Sequence, residues 1–98
     1  MLSVALLDAT LEQLAEALSL TFEDVEFEGT GHHMVRAAEI CTADGVYAVL
    51  ECDPLSPSPG VEILIRWGTK DLAQALSSVL RALENAHVTV VWRRPDAS

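Results

Sequence analysis

Four acids within six residues, Glu23, Asp24, Glu26 and Glu28, are the densest group of ionisable side chains in the sequence. Acid/base catalysis would need two of them in different environments, one with its pKa raised by burial in a cleft. The stretch alternates instead, with Phe22, Val25 and Phe27 interleaved among Asp24, Glu26 and Glu28, which is the pattern of a half-buried strand. On such a strand the three acids share one wet face at about 7 Å spacing. They read as a charged surface for a partner, and a calcium loop is not supported because its glycine and terminal Glu are missing.

The other reactive side chains assemble into no motif. Cys41 and Cys52 fall at opposite ends of one expected hairpin, several residues of about 3.3 Å apart, beyond the reach of a disulfide. They are expected to be free, small apolar residues in a reducing cytoplasm. His32 and His33 follow a glycine-flanked turn and point to opposite faces, and with Cys-x10-Cys they match no zinc spacing. Gly29-Thr30-Gly31 opens no helix, so it cradles no phosphate, and the nucleophile-elbow, Walker and dinucleotide signatures are missing. Trp67 and Trp92, at strand ends beside Arg66 and Arg93, are expected to pack at the core or its rim. With His87 they form the alternative candidate, a small-ligand pocket between helices and sheet. No cofactor and no metal is expected.

Composition narrows the partner. The 98 residues are 50% apolar with a formal net charge of -9, enough chain for one domain, 1–98, and too little for two. Met1 to Glu62 holds twelve acids and only Arg36 as a base, whereas Ile63 to Ser98 holds three acids and five bases. A chain this acidic lacks the clustered Lys and Arg that grip phosphates, so direct nucleic-acid binding is disfavoured. No apolar run approaches the roughly 20 residues of a spanning helix, and Met1 to Leu7 lacks the pattern of a signal peptide. The Arg-over-Lys bias with abundant Ala, Leu and Val fits a GC-rich bacterial genome.

Positioning falls to two helices and a sheet. Leu7, Leu11, Leu14, Ala15 and Leu18 form one apolar stripe, and Thr10 followed by Gln13 has capping-box spacing, so a helix is expected over about Ala9 to Leu20. Met34 to Cys41 and Val46 to Cys52 flank the turn Thr42-Ala43-Asp44-Gly45 and form a hairpin. A four-residue loop would pair Cys41 with Val46, Arg36 with Glu51 and Val35 with Cys52, leaving Glu39 as the one misfit on the apolar face. The proline-rich stretch Asp53 to Gly60 is a loop, and Val61 to Trp67 is a central strand. Thr69 is expected to cap a second helix, about Lys70 to Asn85, carrying the stripe Leu72, Leu76, Val79, Leu80 and Leu83. His87 to Arg93 closes the sheet. Met1 to Leu7 fits an edge strand or an extension of the first helix.

These elements predict an α+β two-layer sandwich, a mainly antiparallel sheet of four to six strands with both helices on one face, in the order α-β-β-β-β-α-β. The order is loosely similar to that of small acidic secretion chaperones, without a shared motif. The expected function is a non-enzymatic module that docks on a basic protein to neutralise or escort it. Inhibitors, immunity proteins, antitoxins and antagonists that mimic nucleic acid all work this way. A homodimer is compatible with it.

Overall fold

Alternation of fully buried with half-buried side chains builds the sheet of the computed structural model, which describes residues 1–26, 34–55 and 60–97. The strands are β1 (Leu2–Asp8), β2 (Glu23–Glu26), β3 (Met34–Cys41), β4 (Tyr47–Cys52), β5 (Val61–Ile65) and β6 (Thr89–Arg93). They form one antiparallel six-stranded sheet in the order β2-β3-β4-β5-β1-β6. Helices α1 (Leu11–Leu18) and α2 (Leu72–Ala82) set Leu14, Leu76 and Val79 into one core with Ala48, Leu50, Val61, Ile63 and Ile65. The expected two-layer α+β sandwich is the observed fold, with a strand placed ahead of the first helix.

Met1 to Leu7 is neither an edge strand nor helix. Its core segment, β1, lies between β5 and β6, with Leu7 fully buried opposite Val61, so Leu7 leaves the helical stripe. A shift of register between Ser3 and Ala5 lets consecutive Val4 and Ala5 both be buried, which explains an apolar run without alternation. Helix α1 is accordingly shorter than expected. Thr10 caps it by accepting a hydrogen bond from the Gln13 amide at 3.1 Å, and Ser19 ends it in the left-handed region at φ 54°.

The hairpin register differs from expectation by one residue. Cys41 pairs with Tyr47, Ala37 with Glu51 and Arg36 with Cys52. Thr42 and Gly45 close a tight turn through Gly45 N–H donating to Thr42 O at 3.0 Å, and Gly45 sits at φ 88°. A type I turn followed by a left-handed glycine makes a three-residue loop, Ala43 to Gly45, where four residues were counted. One residue of slip exchanges the two faces of a strand. Ala38 and Ile40 therefore join Ala48 and Leu50 on the helix side, while Ala37, Glu39 and Cys41 turn outward with Tyr47, Val49 and Glu51.

The C-terminal half is shifted in smaller ways. The cap of α2 is Asp71, which accepts from the Gln74 amide at 3.0 Å, while the Thr69 hydroxyl bonds back to Arg66 O. The helix ends at Ala82 and a 3-10 turn follows over Glu84–Ala86. In β6, Trp92 pairs with Leu6 and Val90 with Leu7, so an extra residue at Val91 puts Trp92 and Val90 on opposite faces. Both tryptophans are exposed, Trp67 by 70% and Trp92 by 44%, rather than packed in the core.

Candidate functional site

Helices α1 and α2 cover one face of the sheet, and among the described residues no helix covers the other, the bare face. The strand registers assign to the bare face Glu23 and Val25 of β2, Val35, Ala37, Glu39 and Cys41 of β3, and Tyr47, Val49 and Glu51 of β4, of which Val35 is buried. Glu62 and Leu64 of β5 and Ser3 and Leu6 of β1 complete it. Its middle is a broad open trough of about 880 Å³, floored by Ala37, Val49 and Leu64 and rimmed by Glu23, Glu26 and Glu39, with Trp67 at one end. Among the described residues no Lys, Arg or His side chain lines the trough, while Met1, with its terminal ammonium, does.

Two local arrangements shape the charge. The Arg66 guanidinium lies 4.7 Å from the centre of the Tyr47 ring, a cation–π contact that directs this arginine onto its own domain. Burial, and then the Glu39 carboxylate that accepts from its hydroxyl, push the Tyr47 phenol up from its ordinary value. Farther along, Glu51 of β4 and Glu62 of β5 are direct cross-strand partners, both half-buried.

The predicted acidic residues separate. Glu23 and Glu26 line the trough. Asp24 shares an exposed strand face with Glu26, as expected, and there lies opposite Arg36 and forms an ion pair with it at 3.4 Å, both side chains exposed. A pair this exposed contributes about 0–1 kcal/mol. Glu28, like Phe27, His32 and His33, lies outside the described residues. Sequence reasoning missed Glu39, Glu51, Glu62, Tyr47 and Arg66. The signal was present in Glu39, whose misfit on the supposed apolar face marks the wrong register.

Trp67, His87 and Trp92 do not converge. Trp67 lines the trough, Trp92 stands on the far edge strand, and His87 sits at φ 52° in a shallow cleft beside Arg81 and Glu84 on the helix side. The interior between helices and sheet is filled by the apolar core. Cys41 and Cys52 are both free, on opposite faces of the hairpin, and burial pushes the Cys52 thiol up. Among the described residues no group of three His, Cys, Asp or Glu is placed to hold a metal, and no helix is long and apolar enough to cross a membrane. The bare face presents an apolar floor inside a negative rim. No family model, curated protein or solved structure matches the chain.

Proposed function

We propose that the protein is a non-enzymatic acidic docking module that binds one basic protein through the bare sheet face, neutralising or escorting it. The observation that carries this reading is the apolar floor of Ala37, Val49 and Leu64 between the carboxylates of Glu23 and Glu39, on a face that no helix covers among the described residues. Apolar surface left open inside an acidic rim fits a surface maintained for a partner. Individual exposed ion pairs contribute little, so the glutamates govern encounter rate and selectivity while burial of Val49 and Leu64 supplies affinity. Two free thiols, one exposed, support a reducing compartment such as the cytoplasm.

The test uses the wild-type protein and a Glu23→Gln/Glu39→Gln/Glu62→Gln variant as paired baits. The expected result is one stoichiometric basic protein held by the wild type, lost from the variant, and associating more slowly as salt rises. Equal capture by both baits, or an on-rate indifferent to salt, would overturn the proposal.

A further inference from the structure

We infer that the trough receives a cationic amphipathic α-helix of about three to four turns, a conclusion that rests on the docking function proposed above. Three arguments select this occupant. The strands beneath the trough, β3, β4 and β5, each have a neighbour on both sides, so their backbone N–H and C=O groups are committed in the plane of the sheet. A segment lying on the face gains no backbone hydrogen bond from it. An extended peptide there would press unpaired amides against Val49 and Leu64, whereas a helix satisfies its own.

Charge excludes a second copy of this chain. Two such faces brought together would set Glu23, Glu39 and Glu62 against their equals, with no Lys, Arg or His side chain among the described residues lining either trough. The occupant must bring the positive charge, with an apolar stripe on the side that meets the floor. The opposite face already shows how this sheet takes helices, through the leucine stripes of α1 and α2. Dimensions agree as well. From β2 to β5 the face spans three strand spacings, roughly 14 Å across, and six residues of β4 run roughly 20 Å along. At 1.5 Å rise these lengths correspond to about 10 to 14 helical residues.

The experiment uses two synthetic Leu/Lys peptides of identical composition and about 14 residues. One places leucine at i, i+3, i+4 and i+7, and the other alternates leucine and lysine. Each is titrated into the full chain carrying Trp92→Phe, so that fluorescence reports on Trp67 at the end of the trough. The helical-period peptide is expected to bind about tenfold tighter, to gain helical circular dichroism, and to lose about tenfold in affinity against Val49→Lys. Should Val49→Lys fail to fold, Glu23→Lys/Glu39→Lys serves the same purpose with exposed positions. Equal binding of both peptides, weakened alike by salt, overturns the helical occupant and leaves the docking function standing. Silence of Trp67 toward both peptides at low salt overturns the two together.

Discussion

The Ser78 hydroxyl of α2 donates a hydrogen bond of 2.6 Å to the Asp44 carboxylate at the tip of the β3–β4 hairpin. The other carboxylate oxygen accepts from the Thr42 hydroxyl at 2.6 Å, and that hydroxyl oxygen accepts in turn from the Val46 amide. Ser78 and Thr42 are both buried, so each hydroxyl needs this partner. The chain of bonds fixes the turn whose length sets the register of the hairpin, and so decides which glutamates reach the bare face.

Protonation of Asp44 is expected to loosen this link. Ser78, then Thr42, hold the carboxyl below the ordinary carboxylate range by hydrogen bonding its charged form. A carboxylate depressed in the folded state contributes stability that is present above its unfolded pKa of about 4 and is lost as pH falls through the lower folded value. Asp44→Asn should therefore be less stable than wild type at pH 7, with the gap in urea midpoint closing below about pH 4. A gap of equal size at pH 3 and pH 7 would show that the carboxylate charge is not what Ser78 and Thr42 recognise.

Truncation of the helical stripes tests the layer assignment. Leu14 and Leu76 are fully buried in the shared core, so Leu14→Ala and Leu76→Ala should each cost about 2–5 kcal/mol in chemical unfolding. Val91, exposed at the irregularity of β6, should lose less than about 0.5 kcal/mol when changed to Ala. Losses below about 1 kcal/mol at both leucines would mean that the helices do not cover the sheet as described.

Glu62 separates stability from recognition. Glu62→Gln replaces one half-buried carboxylate of the bare face by an amide of the same shape, so stability in urea should change by less than about 0.5 kcal/mol. The same change should slow association with a cationic partner. A slower on-rate at unchanged stability marks a residue kept for binding, and an unchanged on-rate in low salt removes Glu62 from the docking surface.

What the sequence made legible was local. The helical stripes and the Thr10–Gln13 cap depend on residues within one or two turns, and they hold apart from Leu7, which belongs to β1. The place of β1 was hidden because a short apolar run looks alike as strand or helix, and only its contacts with β5 and β6 decide. The candidate site was read through the wrong register. Whether Ala43 to Gly45 or four residues form the loop depends on the left-handed conformation of Gly45, and this single choice turned Glu39 inward and concealed the acidic rim. Trp92 was misplaced for a similar reason, since an extra residue in β6 leaves no trace in its alternating pattern.

Two glycines with positive φ should respond differently to the same substitutions. Gly45, at φ 88°, faces open space, so Gly45→Ala meets only the backbone penalty of the left-handed region, about 1–2 kcal/mol. Asparagine tolerates that region, and Gly45→Asn should recover most of the loss. Gly60, at φ 132° where the chain enters β5, lies against β1: a Cβ there would collide with the Leu7 carbonyl oxygen and crowd Leu6 Cδ1 at 3.2 Å. Because the obstacle is backbone in the middle of the sheet, any side chain must push β1 and β5 apart. Gly60→Ala should therefore cost more than Gly45→Ala, and Gly60→Asn should recover nothing. Thermal and urea unfolding of the four variants reads this out, and equal costs at the two positions would show that β5 does not enter the sheet against Leu7.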